Sequence, residues 1–368
     1  MSSSINATKT ELTALGGSSQ RAVRDVLRQA RDTVGKDTRP TSDWLVYMLG
    51  QGWRGARLLW VPTGPRRGWF DTSPLTLDAQ GVALKQNYFG EGAERLVREF
   101  REVGTTGDFV GPPLVAKESR FQADVANMSR QQLINFHKAF CDTQVRASRL
   151  AAVFNQKLAQ LPGYDRQTTP TVNFLDCAVY VVDDIGLGTI GCLVEKQLDP
   201  TKYKKWNDNQ GFVEGQGAVP VGGALDALVE EEEEEQSDEE EAASIRDIME
   251  ESEIRISDIP QAFSHFTYRY TKHRVLVCDL QGVLSTTQPP CFEFTDPVIH
   301  FSSRSGRRNV FGRTDRGLKG MHDFFASHKC SSLCRALNRR WVKRVGETEQ
   351  QRGMHLDGLE DQVSNLTI

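Results

Sequence analysis

Short apolar runs broken by glycine and proline set the pattern of the first half of the chain. Trp44–Met48 (W-L-V-Y-M), Arg57–Val61 (R-L-L-W-V) and Gly81–Lys85 (G-V-A-L-K) read as strands of an antiparallel lobe. Phe89–Val97, the following R-E-F-R-E-V run and Pro113–Phe121 continue it, with glycines at 90 and 92 suited to a hairpin and Lys117 near the end of a strand. The period then changes. Over Met128–Leu158 the residues Leu133, Phe136, Phe140, Leu150, Val153, Phe154 and Leu158 recur near a 3.6-residue spacing, which predicts a long helix with a core-facing stripe. Cys177–Val182 and Ile190–Glu195 are two more apolar strands. Between them Gly186–Gly191 (G-L-G-T-I-G) spells a dinucleotide fingerprint, but the last glycine leads into another strand, where a pyrophosphate site needs a helix N-terminus. A hairpin turn is the reading that fits.

Pattern disappears from Glu214 to about Asp258. Six consecutive glutamates, Glu230–Glu235, and then S-D-E-E-E repel one another and bury nothing, so this stretch reads as a disordered acidic insertion. Ile245, Ile248, Met249 and Ile254 allow a short helix at its end. The run is either a solvated loop or a docking site for a basic partner. Order returns at Val275–Cys278, a buried strand closed by a Gln-Gly turn, and at a helix whose core face carries Leu318, Met321, Phe325, Leu333 and Leu337.

Composition narrows the classes. At 368 residues with a formal net charge of −4, the chain's balance argues against a dedicated nucleic-acid binder, whose footprint is normally a basic surface. No run approaches the roughly 18–20 apolar residues that span a bilayer, and the Ser-rich start has no signal-peptide core. Seven cysteines, an odd number, fit a reducing compartment. A soluble, cytoplasmic protein is expected, with no nucleic acid and no membrane as partner.

Three groups of residues carry chemistry. The strand end at Cys278 delivers Asp279 and Gln281 to a crevice, and the chain returns with Asp296 ahead of Pro297. Two carboxylates and an amide oxygen suit a hard cation that holds phosphates. Lys117 suits α- and β-phosphate oxygens, and Gly90 and Gly92 would let backbone approach them. His328, Cys330 and Cys334 form H-x-C-x-x-x-C on a predicted helix, with Cys330 and Cys334 one turn apart; this reads either as a zinc site, which His265 can complete, or as two buried thiols.

Taken together, D-L-Q-G from Asp279, T-D-P from Thr295, F-S-H-F-T-Y from Phe263, H-K-C-S-S-L-C from His328, G-A-x-R ending at Arg95 and V-A-K ending at Lys117 closely resemble the alpha-kinases. The resemblance implies an α+β, two-lobed protein-kinase-like fold with a zinc-stabilised C-terminal lobe. It divides the chain into a disordered leader (1–40), an N-terminal lobe (41–195), a C-terminal lobe (196–337) and a tail (338–368). It implies transfer of the ATP γ-phosphate to Ser or Thr of a protein substrate, with ATP, Mg²⁺ and Zn²⁺ bound. Gly90, Gly92, Arg95 and Lys117 would hold the nucleotide, Glu195 would lie at the adenine edge, Gln281 and Asp296 would bind Mg²⁺, and Asp279 would orient or deprotonate the acceptor hydroxyl. His265, His328, Cys330 and Cys334 would bind zinc. Three departures stand out. Asp142 is the available helix acid for Lys117 where many relatives supply Glu; Ser285–Glu293 lengthens the link before Asp296; the Gly306–Gly320 loop is more basic and less glycine-dense than the family's. The first two leave room for a catalytically inactive, zinc-stabilised scaffold.

Overall fold

The computed structural model describes residues 38–48, 56–59, 78–92, 94–121, 125, 127–184, 186–210, 212 and 254–338. The expected leader up to 37, nearly all of the acidic insertion and the basic segment that follows residue 338 lie outside the described residues. In chain order the first half gives β1 (Trp44–Met48), β2 (Ala56–Leu59), β3 (Ala79–Lys85), β4 (Gly90–Glu91), β5 (Arg95–Gly104), β6 (Phe109–Ser119), α1 (Arg130–Leu158), β7 (Thr171–Phe174), β8 (Cys177–Asp184) and β9 (Gly188–Lys196). All but β7 form one antiparallel sheet, ordered β1-β3-β5-β6-β9-β8-β2, with β4 folded onto β5. One face buries Leu84, Phe100, Ala116, Tyr180 and Val194.

Helix α1 is the spine that joins the lobes. Ser129 caps it by a capping box with Gln132, which satisfies two of the backbone donors a helix start leaves open. Its first half lays Leu133, Ile134 and Cys141 on Cys177, Val179, Val181 and Leu193 of the sheet. The approach is close enough that a Cβ on Gly191 would stand 2.4 Å from Leu133 Cγ, so the last glycine of G-L-G-T-I-G serves helix packing while Gly186 and Gly188 form the β8–β9 turn. Its second half buries Ala147, Ala151, Phe154 and Leu158 in the other lobe's core. Phe154 meets Phe263 and Phe266 edge-on at 5.4 and 5.5 Å. Phe154→Ala there would cost roughly 3–5 kcal/mol.

The second half adds β10 (Lys204–Lys205), α2 (Asp258–Tyr270), β11 (Val275–Cys278), β12 (Gln281–Ser285), β13 (Cys291–Thr295), β14 (Val298–Phe301), α3 (Gly317–Ser327) and α4 (Ser332–Asn338). These build a four-stranded sheet, β10-β12-β13-β7, and a two-stranded ladder, β11-β14. Strand β7 runs parallel to β13 and is fixed to α1 by Asn155, whose amide exchanges hydrogen bonds with the Val172 backbone at 2.7 and 2.9 Å. A single lobe boundary at 195 therefore does not describe the packing: the end of α1 and β7, placed in the first lobe on sequence grounds, belong to the core of the second. Among the described residues no helix is long and apolar enough to cross a membrane.

Two features differ from the pattern reading. Gln281-Gly282 is not a turn but the start of β12, and Gly282 is required because a Cβ there would lie 2.0 Å from the Glu293 carbonyl oxygen on the partner strand. Leu318, expected on the core face of the first C-terminal helix, is 56 % exposed, and α3 buries Met321, Phe324 and Phe325 instead.

Candidate active site

The two aspartates occupy matching positions. Asp279 lies where the chain leaves β11 for β12, and Asp296 where it leaves β13 for β14. On one side of both crossings Cys278 pairs with Val298; on the other Gln281 pairs with Thr295. The two ladders thus hold the crossings side by side. Both aspartates sit on left-handed backbone, φ 58° and 49°, the kind of local strain that concentrates at functional positions. The long link that the sequence put between them is a β12–β13 hairpin, closed by residues 286–290, and its register returns Asp296 next to Gln281.

Lys117 reaches this pair from the other lobe. Its Nζ stands 2.5 Å from Asp296 Oδ2, 2.5 Å from Glu195 Oε1 and 2.7 Å from Thr295 Oγ1. Thr295 in turn donates to Glu195 Oε1 at 2.6 Å, and Gln144 of α1 donates to Glu195 Oε2 at 3.3 Å while accepting from the Asp296 backbone N–H. Burial alone would favour a neutral amine, but the Asp296 and Glu195 carboxylates outweigh it and hold the Lys117 ammonium above its ordinary pKa. Burial likewise pushes Glu195 up, against the pull of Lys117.

Two expectations change here. Asp142 does not brace Lys117; it lines a cavity of about 200 Å³ with Glu94, Phe136, Phe140, Arg146 and Phe311. The bracing acid is Glu195, expected at the adenine edge, which sits 3 % exposed on β9 with its side chain taken up by Lys117 and Thr295. Gly90 and Gly92 do form the expected hairpin onto β5, with Phe89 N–H donating to the Val97 carbonyl and Gly92 N–H to the Arg95 carbonyl. Arg95 follows, buried against α1.

Across the crossings, Lys205 Nζ lies 2.5 Å from Asp279 Oδ1, and Gln281 Nε2 donates to Asp279 Oδ2 at 3.3 Å. Burial raises the Asp279 pKa, and Lys205 opposes that rise. Beside Lys205, Asn207 is fully buried; it accepts from the Leu280 N–H at 3.0 Å and donates to Gln261 and Ser264 of α2. Asn207 thereby fixes the backbone step next to Asp279. At the far end of β14 the buried Asp315 carboxylate accepts from the N–H groups of Phe301, Phe311 and Gly317, which shapes the loop carrying the exposed Arg304, Arg307 and Arg308.

The four predicted zinc ligands also converge, though not on one helix. His265 is on α2, His328 caps the end of α3, Cys330 lies in the connection and Cys334 is on α4. His265 Nδ1 and His328 Nε2 are 3.2 Å apart; Cys330 Sγ is 3.4 Å from the former and 3.6 Å from the latter; Cys334 Sγ is 3.6 Å from His328 Nε2. A tetrahedral ion with Zn–N of about 2.05 Å and Zn–S of about 2.3 Å gives edges of about 3.3 Å between nitrogens and about 3.6 Å between nitrogen and sulfur. The donor set and these four distances fit zinc. With four protein ligands such a site would be closed and structural.

The sequence model of the Alpha-kinase family matches residues 90–334, well over half of the chain. This chain belongs to the alpha-kinase family. Its alpha-kinase region is 40 % identical over 88 residues to myosin heavy chain kinase B of Dictyostelium discoideum, and 36 % identical over 89 residues to eukaryotic elongation factor 2 kinase of Homo sapiens. Each match covers 24 % of this chain and 10 % of the relative, so the chain spans about a tenth of the curated relatives it matches. A solved alpha-kinase domain, that of myosin-II heavy chain kinase A in complex with AMP-PNP, superposes with a TM-score of 0.46 at 20 % identity, covering 81 % of this chain and 95 % of that one.

Several residues of this alpha-kinase site gave no signal in the sequence. Lys205 and Asn207 sit in a polar segment, and their partners Asp279 and Leu280 are more than seventy positions away. Gln144 falls on the buried stripe of α1, four residues after Phe140 and three before Ala147, but a lone glutamine there carries no motif; it is 3 % exposed and links Glu195 to Asp296.

Proposed function

We propose that this alpha-kinase domain is an ATP-dependent protein kinase that transfers the γ-phosphate to serine or threonine hydroxyls. One observation carries the reading: Lys117, Glu195 and Asp296, from three distant stretches, meet within 2.5 Å contacts, with Asp279 and Gln281 at the adjoining crossing. Phosphoryl transfer asks chiefly for positioning and for charge to be neutralised. Lys117 is charged, dry and aimed, so it would hold α/β-phosphate oxygens once they compete for the ammonium with Asp296. Asp296 and Gln281 supply the oxygen donors for Mg²⁺, which when bound neutralises the phosphate charge. Asp279 would orient the acceptor hydroxyl and take its proton; its raised pKa makes it a better base than an ordinary surface carboxylate. The loop carrying the exposed Arg304, Arg307 and Arg308 would meet the protein substrate.

Zinc at His265, His328, Cys330 and Cys334 would tie α2, α3 and α4 together. A cytoplasmic, reducing setting suits thiolate ligands. The scaffold alternative loses its two supports, because Glu195 does the work of the missing helix acid and the long link is an ordered hairpin that delivers Asp296. The test is transfer of label from γ-³²P-ATP to casein or myelin basic protein and to the chain itself. Lys117→Ala and Asp279→Ala should each lose at least about a hundredfold in rate; full activity in either variant sinks the assignment.

A further inference from the structure

Arg95 opens β5, opposite Ser119 of β6, and turns inward toward α1. It is 7 % exposed. Its guanidinium lies 3.5 Å from the centre of the Phe140 ring and 5.4 Å from that of Phe136. Stacking of this kind suits a planar, weakly hydrated cation, but it leaves the N–H donors without partners. Nη1 has one, His137 Nδ1, at 3.1 Å. Nη2 is buried with no hydrogen-bond partner, and among the described residues no carboxylate comes within ion-pair distance of the group. Asp296, Glu94 and Glu195 act on it only through space, and burial lowers its pKa in spite of them. A dry cation with an orphaned donor is costly unless an anion completes it.

His137 is the second half of the arrangement. It is wholly buried on α1, edge-on to Phe136 at 5.1 Å. Arginine has no acceptor, so Nδ1 must accept and the ring proton sits on Nε2. Burial first, and then the charge of Arg95, hold the imidazole well below its ordinary pKa, so it stays neutral. The Phe140 face fixes the plane of the guanidinium. The His137 bond fixes its rotation within that plane, and therefore where Nη2 points.

We infer that His137 is a positioning residue for Arg95, turning Nη2 toward the nucleotide phosphates. This rests on the kinase reading above. A merely structural His137 would fill space and satisfy a core polar atom; a positioning one acts only through Arg95, and only on ligands that carry phosphate. Isothermal titration with AMP-PNP and with adenosine, both in Mg²⁺, separates the two. His137→Leu should weaken AMP-PNP about tenfold or more, as expected for losing a hydrogen bond to a charged group, and adenosine by no more than about twofold. His137→Asn places an amide oxygen near the Nδ1 position and should recover most of the loss, and it carries the test if the leucine variant does not fold. In an Arg95→Met background the same His137 substitutions should change AMP-PNP affinity by no more than about twofold. Equal losses for AMP-PNP and adenosine, or an undiminished loss in the Arg95→Met background, would overturn the inference. A parent protein that binds adenosine but gains nothing from the phosphates of AMP-PNP would overturn the kinase reading, and this with it.

Discussion

Lys117 and Glu195 are diagonal neighbours on adjacent antiparallel strands. The β6–β9 register sets Val115 opposite Glu195, two positions before Lys117, so both side chains leave the same face of the sheet and meet at 2.5 Å. The acid that braces the lysine therefore belongs to the sheet itself, and no movement of α1 is needed to bring it in. Removing one partner of a buried pair leaves a buried charge. Glu195→Ala should cost roughly 3–5 kcal/mol in chemical denaturation, with Asp296, itself 35 % exposed, as the remaining partner of Lys117. The double variant Lys117→Met, Glu195→Leu should recover most of that stability and still transfer no phosphate. A double variant as unstable as Glu195→Ala would mean that packing, not charge, explains the loss.

Zinc held by His265, His328, Cys330 and Cys334, as proposed, makes a sharper prediction about folding. Apparent zinc-binding free energies of roughly 10–16 kcal/mol match or exceed the roughly 5–15 kcal/mol net stability of a domain. The purified protein should carry one zinc per chain, and stripping it with a strong chelator should unfold α2, α3 and α4 together. Cys334→Ser should do the same without chelator. An unchanged melting temperature after the metal is gone would end this reading.

Pattern reasoning reached the elements and missed what joins them. The strands around Lys117, the helix from 130 to 158 and the converging Asp279, Gln281 and Asp296 were legible, because apolar period and short motifs are local properties. The lobe boundary was not, since α1 serves two cores with one continuous stripe: Leu133 and Ile134 face one, Phe154 and Leu158 the other. Asp142 looked like the brace for Lys117 because it is an acid on the right helix, but the contact was decided by strand register, which no periodicity encodes. The H-x-C-x-x-x-C spacing suggested a single helix; instead α3 ends at an extended His328 and α4 begins at Ser332, whereas in one helix His328 and Cys330 would face different sides.

With Asp279 as the proposed base, Lys205 would tune it. Asp279 must be ionised to accept a proton, so kcat/KM should fall as pH drops through its pKa, which burial raises from its ordinary value. Lys205 opposes that rise. Lys205→Met removes the cation, the carboxylate gains protons at higher pH, and the acid limb should move up by roughly one pH unit or more. Since no limb would shift if Asp279 played no part in proton transfer, a pH profile that falls in rate but keeps its shape would remove it from that role.

Asp296 is placed by strand register rather than by the length of the chain that precedes it. Gln281 faces Thr295 and Ser285 faces Cys291, so residues 286–290 close a hairpin whose strands are already fixed by β10 and β7 on either side, with one added bond from Thr171 N–H to the Pro290 carbonyl at 3.2 Å. Replacing those five residues with Asn-Gly, the pair suited to a two-residue type I′ turn, keeps the strands and shortens the link. Transfer of label from γ-³²P-ATP should stay within about threefold of the parent, a change of less than about 0.7 kcal/mol in the barrier. A loss of a hundredfold with the melting temperature intact would mean that the turn itself reaches the nucleotide or the substrate, and that register is not what sets Asp296.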